Sequence, residues 1–420
     1  MTIKPNLAAF LSAILVASAL VAQEPPPPPP QPTPAPAPAP EPAPAPQPPP
    51  VLSRAAGGAY DRRDSFPSVN IYPPEGQMSI RLRKLIRNVL FESQVDYKFF
   101  NGDISTYLRY KYYARQFTYK LGVFDTIEFG DVGQKSIEDF SRVRGGLLLL
   151  TFPRDYNHRY FTLLQDDRLT FGDVTRVDNR KNNIYTKLGY QYGTEFDERL
   201  NSIVGESRGR IVPVLTAFRE LGPQKFSYAV ALTESARIAN GDYNYTKLET
   251  EAIKRWDMSP TTFVVTRAHV GTFPTRGTRD ESAPLIERYA IPSYELFRIG
   301  GREALRSISS SKDEGAGTNE LHLTNEYFFP IFRNRSYKKW GLDVNTLYGA
   351  TYFGAGNVGF EYRDLVKAKD FAVDAGLGFE ASIGVRDFNV LLSVLYARTI
   401  RELEGVGKGN KVLFAIRTVR

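Results

Sequence analysis

From Phe91 onward the chain alternates. Phe91, Val95, Tyr97 and Phe99 interleave with Glu92, Gln94, Asp96 and Lys98. Asn101-Gly102 follows, a pair that favours a tight hairpin. Leu108, Tyr110 and Tyr112 then stand against Arg109 and Lys111, and Phe117, Tyr119, Leu121 and Val123 against Gln116, Thr118 and Lys120. A period of two puts apolar side chains on one face of a strand and charges on the other. The pattern recurs to the end of the chain. It predicts strands at 85–100, 103–114, 116–130, 142–153, 157–170, 182–193, 208–221 and 224–238. It continues at 242–256, 260–272, 285–298, 317–332, 340–354, 369–385, 387–398 and 410–419, sixteen strands in all. Only a short stretch at 78–90 has helix-like spacing.

These strands run to about 10–16 residues, against ~5–6 in soluble sheets. A tilted strand crosses a bilayer in about 9–11 residues. A soluble sandwich or propeller would bury one face of each strand in a dry core. A membrane barrel instead turns the apolar face to lipid and the charged face to a wet lumen. Strand length, and an even number that closes without an open edge, favour the second. The expected fold is all-β, a sixteen-stranded antiparallel transmembrane β-barrel.

The N-terminal region fits an exported protein. Lys4 precedes an apolar run from Leu7 to Leu20, and Ala22 offers a small residue before Gln23. That is a secretory signal over residues 1–22. Residues 23–56 form a proline-rich linker, extended and semi-rigid. Its expected role is to contact the periplasm or the cell wall. Residues 57–84 read as a lead-in and 85–420 as the barrel. The absence of cysteine excludes disulfides and thiolate chemistry. The net charge of +8 comes from scattered basic residues, which argues against nucleic acid as a partner. The 24 Tyr and 27 Phe suit strands and interfacial belts facing outer-membrane lipids.

The segment from Leu296 to Phe332 is a strand, a Gly- and Ser-rich loop and a second strand. In the second strand Glu320, His322, Thr324 and Glu326 share one face, and Leu321, Leu323, Tyr327 and Phe329 the other. Glu326 is therefore expected to point into the lumen.

Here the chain resembles the BamA/TamA family of outer-membrane assembly and translocation barrels, the bacterial surface antigen family. Gly300-Gly301 precede Leu305-Arg306-Ser307-Ile308, as that family's Gly-Gly precedes Leu-Arg-Gly-aromatic in the loop between strands 11 and 12. Asn325-Glu326-Tyr327-Phe328-Phe329-Pro330 matches the strand that follows, and Gly145 to Arg168 resembles a further family hairpin. Four positions depart. Ser307 and Ile308 replace glycine and aromatic, Gly354 stands where the family has aspartate, and residue 420 is Arg. The family's periplasmic modules have no counterpart before residue 85, where the proline-rich linker lies.

The resemblance implies a loop folded into the lumen, with Gly300, Gly301, Leu305 and Arg306 as its anchor and Glu326 as the barrel-wall partner. It implies a gate between the first and last strands, here Phe91, Val95 and Tyr97 against Val412, Phe414 and Ile416. It implies a protein of the bacterial outer membrane that inserts or translocates client envelope proteins. A passive pore or structural barrel is the alternative. Enzyme chemistry is not expected. His158, His269 and His322 lie far apart in sequence on separate strands, so no metal site is expected, and no cofactor motif is present.

Overall fold

A computed structural model describes residues 68–419 except 73–75, 100–101, 115, 130–139, 156, 172–179, 194–202, 204–212, 219–224, 236–240, 279, 283–287, 302–303, 309–314, 340–341, 366–369, 386–387 and 404–405. The signal segment 1–22 and linker 23–56 lie outside the described residues.

Sixteen antiparallel strands close into one barrel. The first eight are β1 (Ser68–Tyr72), β2 (Gln77–Ile86), β3 (Val89–Lys98), β4 (Asp103–Tyr113), β5 (Thr118–Phe129), β6 (Phe140–Pro153), β7 (His158–Phe171) and β8 (Arg180–Tyr192). The rest are β9 (Phe226–Ser235), β10 (Tyr245–Asp257), β11 (Phe263–Arg276), β12 (Asn319–Lys339), β13 (Leu342–Gly359), β14 (Ala372–Val385), β15 (Phe388–Arg401) and β16 (Asn410–Val419). Each pairs with its sequence neighbour, and β1 closes on β16. No helix among the described residues is long and apolar enough to cross a membrane; the strands do so.

The alternation dictates the two faces. Leu82, Leu108, Val123, Leu188, Leu377 and Val412 are exposed on the outside. Arg81, Gln94, Arg109, Asp167, Lys187, Glu251 and Glu380 are buried in the lumen. A charge survives there because it has partners. Arg81, Arg83 and Arg109 converge on Glu92, for example, with Arg83 Nε 2.6 Å and Arg109 Nη1 2.9 Å from its carboxylate. Gly102, at φ +72°, turns β3 into β4 at the predicted hairpin.

The strand count is sixteen, but two predicted strands are wrong and two real ones were hidden. The stretch 85–100 is not a first strand. It holds the end of β2, a turn with Arg87 at φ +55° and then β3. The barrel starts at Ser68, inside the expected lead-in, and the helix-like stretch 78–90 is β2 and its turn. The described part of 208–221, residues 213–218, belongs to no strand. The described part of 285–298 is a connection carrying a one-turn 3-10 helix, Ser293–Glu295, and half of a short ribbon. The errors cancel in number. The strand before the Arg306 loop is therefore β11, Phe263–Arg276, rather than 285–298.

Candidate functional site

Two connections turn into the lumen from opposite mouths. Odd strands run away from the mouth where the described chain begins and ends, so the β11–β12 connection lies at the far mouth and the β8–β9 connection at the near one.

The far connection folds on itself. Phe297–Arg298 pairs with Ala316–Gly317 as a two-stranded ribbon. Beyond it the backbone curls: Leu305 N–H donates to Ile299 O at 2.9 Å, and Gly301 N–H lies 3.1 Å from both Leu305 O and Ile308 O. Gly301 has φ +116°, a conformation that a side chain disfavours. Gly300 bridges to Leu305, which is fully buried beside Phe297, Ile299 and Ile308. The curl thus has its own apolar core, packed among wall residues such as Phe124, Leu147 and Phe161.

That core presents Arg306 to the wall. Its Nη2 pairs with Glu326 Oε1 on β12, and its Cζ sits 4.3 Å from the centre of the Tyr352 ring on β13. A guanidinium does both at once because it is planar and permanently charged. Tyr352 Oη donates to Ala304 O at 3.0 Å. Ser307 N–H donates to Asp374 Oδ2 on β14 at 2.9 Å, and Ser307 Oγ lies 2.8 Å from Thr399 Oγ1 on β15. Four consecutive strands therefore hold the loop residues Ala304, Arg306 and Ser307.

Gly354 gains a meaning in this setting. It is the direct cross-strand neighbour of Asp374. A Cβ on it would lie 2.4 Å from Tyr352 Oη, 2.5 Å from Asp374 Oδ1 and 2.8 Å from Leu305 Cδ2. The acid that the family motif leads one to expect on β13 sits one strand over, as Asp374. Restoring it as Gly354→Asp is expected to weaken the plug, since two carboxylates would crowd one pocket. Heat-modifiable gel mobility checks this: the variant should unfold at a lower temperature than the parent.

The near connection was not anticipated. Val214 and Leu215 are fully buried, packed in a cluster that includes Phe263, Phe328 and Tyr348. Thr216 donates to Glu326 Oε2 through its N–H at 3.0 Å and its Oγ1 at 2.6 Å. Ala217 N–H donates to Glu380 Oε2 at 2.8 Å. Glu380 also accepts from Ser393 Oγ at 2.8 Å and Arg417 Nη2 at 3.2 Å. Glu326 thus takes Arg306 on one oxygen and Thr216 on the other. Periodicity predicted a strand at 208–221, whose described residues 213–218 belong to none. Nothing in it marked Thr216, Asp374 or Glu380, which meet through register.

The seam lies elsewhere than expected. Phe91, Val95 and Tyr97 are on β3, facing outward, two strands from closure. Val412, Phe414 and Ile416 do lie on the closing strand β16, also facing outward. Its partner β1 has five residues. Among the described residues, Asn70–Arg417 and Ile71–Ile416 are in register across the seam, supported by Val69 N–H to Thr418 Oγ1 at 2.9 Å. On its other side β16 is registered with β15 over ten pairs, from Asn389–Val419 to Arg398–Asn410. Among the described residues, Asn410 to Ala415 have no registered partner across the seam.

His269 and His322, expected to be far apart, are cross-strand partners on β11 and β12. His158 is remote, beside Tyr190 at the near mouth.

Solved structures of bacterial outer-membrane barrels share this fold. BamA from Haemophilus ducreyi lacking POTRA domains 1–3 superposes with a TM-score of 0.55 at 13 % identity, over 85 % of this chain and 70 % of that one. CdiB from Escherichia coli gives 0.53 at 11 %, over 84 % and 62 %, and CdiB from Acinetobacter baumannii gives 0.50 at 11 %, over 84 % and 58 %. The chain thus spans less than two thirds of either CdiB. No family model and no curated protein matches it. The fold is the BamA/CdiB type of sixteen-stranded barrel, found in bacterial outer-membrane proteins.

Proposed function

We propose that this protein inserts or translocates other envelope proteins at the bacterial outer membrane, and that the β1–β16 seam is where a client strand engages. The observation that carries this reading is the seam. In lipid an unpaired N–H or C=O costs several kcal/mol. Among the described residues the closing strand β1 has five residues, and a barrel built only to conduct gains nothing from so short a closure. The stretch from Asn410 to Ala415, which has no registered partner across the seam among the described residues, would instead be a template on which an incoming strand forms main-chain hydrogen bonds.

The passive-pore alternative is disfavoured by the lumen, which two inward segments occupy on Glu326. Depletion of the protein in its host decides between them. The expected result is a fall in the level of at least one outer-membrane or secreted protein, by severalfold, before growth changes. Unchanged envelope and secreted proteomes would leave the insertion reading without support. The linker over residues 23–56 is proposed to reach toward the periplasm or cell wall, at roughly 3 Å per residue.

A further inference from the structure

We infer that His269, Glu320 and His322 form a binding site for a divalent transition metal of the zinc class, built into the lumen wall beneath the plug. His269 and His322 stand directly opposite each other on β11 and β12, and Glu320 is two residues before His322 on the same face. All three are buried, at 5 %, 4 % and 3 % exposure for His269, Glu320 and His322. One ligand atom from each lies within 4.8 Å of the other two.

The spacing is that of ligands around an ion. His322 Nδ1 is 2.9 Å from Glu320 Oε1, and His269 Nδ1 is 3.2 Å from Glu320 Oε2. Ligands at 2.0–2.2 Å in a tetrahedral zinc site are about 3.3 Å apart. The imidazoles lie nearly parallel, 26° between planes with centroids 5.1 Å apart.

Hydrogen bonding within the trio does not account for the arrangement. His322 Nδ1 has a hydrogen bond to Glu320. His269 Nδ1 is 3.2 Å from the other oxygen, yet it is buried without a hydrogen bond of good geometry. His322 Nε2 is likewise buried with none. Buried polar atoms are normally satisfied, so those left over need another explanation. A cation between the two Nδ1 atoms and the carboxylate gives His269 Nδ1 its partner.

The outer surroundings also suit a metal. Glu249 Oε1 stands 4.0 Å from His269 Nε2, beyond hydrogen-bond reach but near enough to favour positive charge at the site. Lys247 Nζ holds Glu249 from the other side at 3.3 Å. The plug closes the site. Phe297 lies over Gly271, where a Cβ would come within 2.2 Å of its ring, and Ile299 lies over Gly356 next to His322. An ion here would tie β11 to β12 directly under the ribbon, and its exchange would require the ribbon to lift.

Zinc itself is the probe. The untagged chain is refolded from urea into detergent with zinc chloride, freed of excess metal, and assayed by mass spectrometry of the element. About one zinc per folded chain is expected. His158 is the only other histidine, so His158→Gln should retain the metal. His269→Gln with His322→Gln, and separately Glu320→Gln, should weaken binding at least tenfold against a competing chelator. Heat-modifiable mobility verifies that each variant is folded. Glu320→Gln, the mildest change, keeps the test open if the histidine variant is not. Zinc should also raise the unfolding temperature of the parent and of His158→Gln. A folded parent without stoichiometric zinc, or full zinc retention in Glu320→Gln and the histidine variant, would overturn the site.

Discussion

A disulfide between Ile71→Cys and Ile416→Cys is expected to abolish client delivery in oxidising conditions and to release it on reduction. The chain has no cysteine of its own, so the new pair has no competitor. The two positions are in direct register across the seam and both face outward, leaving the lumen network untouched. Directly opposed antiparallel residues have Cα atoms roughly 4.5–5.5 Å apart, inside the range a disulfide spans. The bond replaces a two-pair contact with a covalent closure, so a client strand can no longer part β1 from β16. The readout is the level of the protein identified by depletion, with and without a reductant. A single Ile71→Cys variant controls for the substitution. Normal delivery through a demonstrably locked seam would show that the seam is not the gate.

The second large effect is Arg306→Ala. The Arg306 and Glu326 side chains are only 5 % and 4 % exposed, so the truncation leaves a buried carboxylate without its cation, held only through Thr216 on the other oxygen. Breaking a buried pair on one side costs about 3–5 kcal/mol. The contact with Tyr352 disappears as well. The expected result is a barrel that unfolds at a lower temperature in heat-modifiable gels and conducts more current in planar bilayers. Arg306→Lys should recover only part of the parent behaviour, because an ammonium keeps the charge but not the planar fork. Arg306→Ala with Glu326→Gln removes the stranded charge and should be less damaging than Arg306→Ala alone. A single variant that conducts and resists heat like the parent would show that the arginine does not anchor the loop.

Much of the wall could be read from the chain. Strands β4 to β8 follow from plain alternation, and the inward face of β12, from Glu320 to Glu326, follows from parity. The misses have one physical origin. Val214, Leu215, Ile291 and Phe297 are apolar because they are buried inside the lumen. An apolar run bounded by turns looks the same whether a sheet or a plug covers it. At the start, Arg83, Lys84 and Leu85 blur the period of β2, and β1 has too few residues to show one. The site itself depended on register. Gly354 looked like a lost acid until the β13–β14 pairing put Asp374 beside it, and His269 met His322 only through the β11–β12 pairing. A shift of one residue in either ladder would separate them.

Glu326 has one oxygen on Arg306 and the other on Thr216. One segment enters from each mouth, so a single side chain is the meeting point of the two sides of the membrane. Any free energy by which release of one segment changes the hold on the other applies equally in reverse. A partner that draws the β8–β9 connection away therefore adjusts the far plug by the same amount as an event at the far mouth adjusts the near one. A double-mutant cycle between Arg306→Ala and Thr216→Val measures the part of that amount carried by the Arg306 and Thr216 side chains. It expresses in one number how strongly the two mouths of the barrel are coupled through Glu326.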